Sequence, residues 1–333
     1  MPRHEANTTQ VPSFRTNGPR YPGLVSAFDH LPPMQTVDLD GPVAYREWGE
    51  SRPGAPTFVC VHGLGGSHLN WMGVAPGLAR TGRVLALDLI GFGFTPRAGR
   101  SSSMSSNRHM LSRFIATMTE RPVVLVGNSM GAALSLLQNA YEPTTADGLV
   151  LTSPALPWAR GGMPSPLVLA AFAMYRMPRF GEWFVKARNE RLGPEKLIEQ
   201  GFKVVMADPA KVDPALVAAH VETARLHAED PDSIPAFTEA TRSMLRTGRH
   251  KEFVEELLER VRVPVLVIHG QKDRLVNVAL ARRAAGGRPN WTLVEFEDIG
   301  HAAQMEAPDR WVATVEEWLE RRGVASGDRA DAV

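Results

Sequence analysis

The stretch VVLVGNSMGAALSLL, residues 123–137, constrains the fold more than any other part of the chain. A run of β-branched residues meets Gly-Asn-Ser-Met-Gly and then an apolar, helix-forming run. Uninterrupted Val and Leu in a strand belong to a sheet covered on both faces. A strand that turns straight into a helix leaves no room for side chains beside the turn, which is where Gly127 and Gly131 stand. Ser129 at the apex is predicted to take a strained backbone conformation with its hydroxyl raised above the strand ends. The first amides of the following helix point the same way, unpaired and partly positive. A hydroxyl beside free amides suits attack on a carbonyl and capture of the resulting oxyanion.

The same punctuation recurs along the chain. MQTVDLD and PVAYREWG straddle Gly41-Pro42 and read as a hairpin. TFVCVHG, RVLALDL, PVVLVGN, GLVLTSP, PVLVIHG and WTLVEFED read as further strands, several of them separated by helix-like segments. This alternation predicts an α/β domain with a mostly parallel sheet and a site at the C-terminal strand ends. It stops after GLVLTSPAL. From about Pro157 to His250 only helical stretches appear, at 165–177, 194–206, 214–227 and 234–246. They predict a helical cap inserted between two sheet strands. Its Met163, Met174, Met177, Met206 and Met244, with Phe172, Phe180, Trp183 and Phe184, supply packing and, for a few of them, an adaptable apolar pocket. The expected divisions are a loose arm at 1–22, core at 23–156, cap at 157–250, core again at 251–322 and a loose tail at 323–333.

Composition excludes several classes. Lys+Arg 37 against Asp+Glu 36 leaves a net charge of +1, which is no footprint for nucleic acid. The single cysteine, Cys60, excludes an internal disulfide and a cysteine metal cluster, and fits a cytoplasmic protein. The N-terminal residues have no apolar core for a secretory signal, and no apolar run reaches membrane-spanning length. SPLVLAAFAMYRMPRF has the composition of an interfacial helix with basic flanks, and equally of a buried cap helix, the preferred reading.

A serine needs a base, an orienting acid and oxyanion donors. The last two strands each end in a reactive residue: Asp273 in VLVIHGQKDRLV and His301 in LVEFEDIGHAAQMEAP. The order Ser129, Asp273, His301 on strand-end loops is the order this chemistry uses on an α/β sheet. Asp298 is too near His301 in sequence to reach its far ring nitrogen, and Asp88 reads as a residue that pins loops. His269 reads as structural, and His220, His227 and His250 as cap residues. The glycines of VHGLGGSHLNW let a backbone amide approach the site, so the N–H groups of Leu64 and Met130 are the expected oxyanion hole. The string lacks the phosphate-binding glycine pattern, so no nucleotide is expected.

These pieces resemble the α/β-hydrolase fold superfamily. HGLGG, DLIGFGFT, GNSMG, HGQKD and GHAAQMEAP match its motifs in order over about residues 35–322. The resemblance is to the lidded serine esterase and lipase-like branch, with similarity to the meta-cleavage-product C–C hydrolases. It implies an eight-stranded sheet with a cap after strand 6, and hydrolysis through an acyl-enzyme with no cofactor and no metal. The expected substrate is a carboxylic ester of a moderately apolar small molecule or lipid. The alternative is a C–C bond hydrolase, and a non-catalytic binding protein ranks lower because no triad member is lost. Serine at 129 argues against the epoxide hydrolase and haloalkane dehalogenase branches, which resemblance would equip with aspartate there. Asn128 is shared with the C–C hydrolases, but Ala302 stands where they carry tryptophan. Asn128, Met174 and Met177 are the substrate-binding candidates, and Arg176, Arg179, Arg188 and Arg191 are the cap arginines available to a ketoacid.

Overall fold

The computed structural model describes residues 28–156, 166–177, 179–247 and 251–322. The arm expected at 1–22, the tail at 323–333, Met163, His4 and His250 lie outside the described residues.

Eight strands form one sheet: β1 (Gln35–Asp38), β2 (Pro42–Trp48), β3 (Thr57–Val61), β4 (Arg83–Leu87), β5 (Val123–Asn128), β6 (Gly148–Thr152), β7 (Val265–Gly270) and β8 (Trp291–Phe296). Their order across the sheet is β1-β2-β4-β3-β5-β6-β7-β8. The expected hairpin is β1–β2, and β2 runs antiparallel to β4 as well. All other pairs are parallel. Every residue of β3, β5, β6 and β7 is buried. The cause is two apolar layers that use alternate residues of the same strands. Val59, Val61, Leu125, Leu151 and Val267 face one layer. Phe58, Cys60, Val124, Val126 and Ile268 face the other.

The helices are α1 (Ala75–Leu78), α2 (Met104–Met118), α3 (Met130–Tyr141), α4 (Pro166–Arg176), α5 (Phe180–Val205), α6 (Pro214–Glu229), α7 (Ser233–Thr247), α8 (Lys251–Arg260), α9 (Val278–Ala285), α10 (Ala303–Glu306) and α11 (Pro308–Arg322). Helices α2, α3, α8 and α9 bury their apolar faces in the first layer. Helices α1 and α11 do so in the second, where Trp71 and Trp311 meet at 6.2 Å. Helices α4 to α7 follow β6 and form the cap.

The cap differs from the sequence expectation in one respect. Helix α5 begins at Phe180, not at Pro194, and carries a break at Gly193, whose φ of 71° and ψ of 166° are not helical. Periodicity starting at Pro194 captures only the half beyond the break. Polar clamps fix the cap to the core. Glu239 of α7 accepts from Arg97 at 2.7 Å and from the Ser101 hydroxyl at 2.5 Å, and Ser243 accepts the Met104 amide at 3.0 Å. His227 of α6 bonds the Gly93 carbonyl at 2.7 Å.

Candidate active site

The strand-to-helix elbow is built as the glycine pattern requires. Ser129 sits between β5 and α3 with φ 55° and ψ −114°, a region that residues with a Cβ rarely occupy. The strain is held by a hydrogen bond from the Ser129 amide to the Thr152 carbonyl (2.9 Å), and by the Ser129 carbonyl, which accepts from Ala133 and Ala155 at 3.1 Å. Gly131 is obligatory, because a Cβ there would lie 2.0 Å from the Val61 carbonyl oxygen. Close approach of the helix to the end of β3 brings the glycine-rich loop over the serine. A Cβ on Gly63 would stand 3.2 Å from the Ser129 Cβ. Met130 opens α3 and is buried, while Leu64 is partly buried on the first apolar layer. Among the described residues, neither backbone N–H has a hydrogen-bond acceptor. Both are unspent donors, one on the residue after Ser129 and one on the residue after Gly63.

Asp273 and His301 come together from the loops after β7 and β8. His301 Nδ1 lies 2.7 Å from Asp273 Oδ2. A carboxylate only accepts, so Nδ1 carries the proton and Nε2 offers a lone pair. The other carboxylate oxygen accepts the Leu275 and Val276 amides at 2.8 and 2.9 Å. Burial would raise the Asp273 carboxyl, but His301 and His269 outweigh it and hold the group well below the usual carboxylate range. His269 is the surprise. It is fully buried, and its Nε2 lies 3.2 Å from Asp273 Oδ2 and 3.0 Å from the Val276 carbonyl. Both are acceptors, so Nε2 is the protonated nitrogen and Nδ1 is left with no partner among the described residues. Its place four residues before Asp273, at the end of β7, was the only signal in the sequence.

The histidine loop is supported from below. Glu306, buried in α10, accepts the amides of Gly300 (2.8 Å), Ala207 (3.1 Å) and Asp208 (2.8 Å). The His301 amide donates to the Val205 carbonyl at 2.7 Å. One carboxylate thus joins the His301 loop to the end of α5, a role the sequence reading did not assign.

A second histidine–aspartate pair lies close by. His68, which the sequence reading passed over, holds Asp88 at 3.0 Å through Nδ1, but its Nε2 accepts from Arg46 Nε at 2.9 Å. Both side chains are fully buried. Asp88 also accepts the Phe94 amide, so it pins loops as expected, and this imidazole has no nitrogen left for a proton. Asp298 pairs with Lys211 and Arg310 at the surface.

The substrate-binding candidates separate. Asn128 is buried, and its amide donates to the carbonyls of Thr152 (3.2 Å) and His301 (3.3 Å), which makes it a strut between elbow and histidine loop. Met174 is half-buried on α4, whereas Met177 is half exposed at the cap tip. The sequence reading missed Phe237 of α7. It stands 3.4 Å from where a Gly65 Cβ would be and packs edge-on against Tyr175 at 5.4 Å. Tyr175 in turn contacts Phe172 and Phe184. An aromatic wall therefore runs from the cap to the glycine-rich loop. Arg188 is bound into it through the Tyr175 hydroxyl at 2.6 Å. Among the described residues no group of acids, histidines and cysteines could hold a metal ion.

The sequence matches the family model described as the alpha/beta hydrolase fold over residues 56–308, and the chain belongs to that family. It is 28% identical to a 2-hydroxy-6-oxo-6-(2'-aminophenyl)hexa-2,4-dienoic acid hydrolase of Metapseudomonas resinovorans, covering 84% of this chain and 87% of that one. It is 24% identical to a haloalkane dehalogenase of Mesorhizobium japonicum, over 84% and 89% of the two chains. Among solved structures, the haloalkane dehalogenase DbeA of Bradyrhizobium elkani superposes with a TM-score of 0.74 at 22% identity, covering 88% of this chain and 99% of that one. The fold and hydrolase membership are thereby fixed, while the bond cleaved differs among the relatives.

Proposed function

We propose that the protein is a serine hydrolase that cleaves a carboxylic ester of a moderately apolar small molecule or lipid. Ser129 Oγ attacks the acyl carbon as His301 Nε2 takes its proton. The Leu64 and Met130 amides stabilise the oxyanion. The tetrahedral intermediate collapses, His301 returns the proton to the leaving alcohol, and water repeats the sequence on the acyl-enzyme. Asp273 holds the imidazole in the tautomer this requires. The observation that carries the reading is the left-handed backbone of Ser129, strain with no evident packing benefit that a raised nucleophile explains. The domain division set out from the sequence belongs to this proposal, with residues 157–250 as a cap over the strand ends and the core resuming at 251.

One observation favours a second reading, C–C bond hydrolysis. The Metapseudomonas relative is a dienoic acid hydrolase, and Arg188 offers a half-buried guanidinium on the aromatic wall for a substrate carboxylate. Hydrolysis of p-nitrophenyl esters from acetate to palmitate, with Ser129→Ala and His301→Ala as controls, tests the first reading. Turnover lost in both variants with unchanged thermal melts is expected. A folded wild type that is inactive on every ester but cleaves a 2-hydroxy-6-oxodienoate would favour the second reading.

A further inference from the structure

Among the described residues five large apolar side chains are exposed, and three of them, Met177, Phe180 and Trp183, fall within seven residues at the α4–α5 junction. Trp183 is 61% exposed, and its ring lies tilted against Phe180 with centroids 5.6 Å apart. The outer residues of α4, Ala170 and Ala173, are also exposed and apolar, and they continue the patch one helix face back from Met177. Positive charge predominates around it. Arg176 and Arg179 are exposed, and neither is ion-paired among the described residues. Lys186 stands on the next turn, opposite Glu190 at 3.8 Å. The nearest acid, Glu182, faces Arg242 at 3.8 Å. This local excess of positive charge belongs to a chain whose net charge is only +1.

A contiguous apolar tip with cationic flanks matches a surface that is apolar within and negative at its rim. We propose that the α4–α5 tip docks on an anionic lipid bilayer, with Phe180 and Trp183 inserted among the acyl chains and Arg176 and Arg179 on the headgroups. The docking does not depend on the chemistry at Ser129. The proposed function gives it a use, because the wall of Phe172, Tyr175, Phe184 and Phe237 leads from this tip to Gly65 beside the elbow. A membrane-dissolved substrate would enter there.

The test is co-sedimentation of Ser129→Ala protein with vesicles of phosphatidylcholine alone, and with about 30 mol % phosphatidylglycerol added. Binding to the anionic vesicles is expected, weakened several-fold in about 0.5 M salt. It should fall about tenfold or more when the same protein also carries Phe180→Ser/Trp183→Ser, two exposed positions whose replacement leaves the thermal melt unchanged. Brominated lipid should quench wild-type fluorescence but not that of Trp183→Phe. No binding, equal binding to neutral vesicles, equal binding by the double variant, or a dimer that the double variant abolishes would each overturn the proposal. Because turnover is absent throughout, failure here is distinct from failure of the hydrolase reading.

Discussion

Asp273→Asn tests the site most sharply, because the structure dictates which way the new amide must face. One carboxylate oxygen accepts two backbone amides at 2.8 and 2.9 Å. An NH2 on that side would leave both donors buried and unpaired, at about 1–3 kcal/mol each. The amide oxygen therefore stays there, and the NH2 faces His301 Nδ1 and His269 Nε2. His301 can meet a donor only by accepting at Nδ1, which moves its proton to Nε2. That tautomer cannot take a proton from Ser129. Restoring the working tautomer costs roughly 4–5 kcal/mol, so kcat/KM should fall about 10³–10⁴-fold. The carboxyl is held well below its ordinary value of 3.8, so the wild type is ionised throughout any practical assay and the loss should appear at every pH. The assay is ester hydrolysis by wild type, Asp273→Asn and Ser129→Ala, with thermal melts to establish folding. A folded Asp273→Asn within about tenfold of wild type would refute the orientation argument, and another acid would have to hold the imidazole.

Other expectations follow from the supporting network. Glu306→Ala orphans one buried amide and two part-buried ones, so stability should drop by about 1–3 kcal/mol in denaturant melts, and kcat should fall because Gly300 adjoins His301. An unchanged melt would mean water replaces the carboxylate. His220 of α6 is pushed down by burial to about 4 from its ordinary 6.5. The unfolded chain therefore gains this proton first as pH falls, so the residue removes stability between about pH 6.5 and 4, by at most about 3 kcal/mol. His220→Gln should lose less stability than wild type across that window in urea melts. Parallel losses would show that His220 is protonated freely in the folded state.

Much of the site could be read directly from the chain. Gly127-Asn-Ser-Met-Gly131 needs only local sterics to be recognised, and the Cβ that Gly131 lacks would meet the Val61 carbonyl at 2.0 Å. Asp273 and His301 were findable because each follows a strand of the expected pattern. His269 and His68 could not be sorted that way. Each sits near an aspartate, and only geometry shows that His68 spends both nitrogens while His269 braces the acid behind His301. The first half of α5 escaped because Gly193 and Pro194 look like a helix start, whereas helix stands on both sides of the break.

The alternating strands and helices, the elbow, and the placing of Ser129, Asp273 and His301 after strands were legible in the chain alone. These depend on periodicity and on neighbours a few residues apart, where the chain's own stereochemistry decides. Tertiary structure alone decided what Asn128 does, how Glu306 joins the His301 loop to α5, which cap aromatics reach Gly65, and that Met177 and Trp183 face outward. Those outcomes depend on helix docking angles and on contacts between residues as far apart as 128 and 301. They are settled by side-chain packing across the cap and core, which no local pattern encodes.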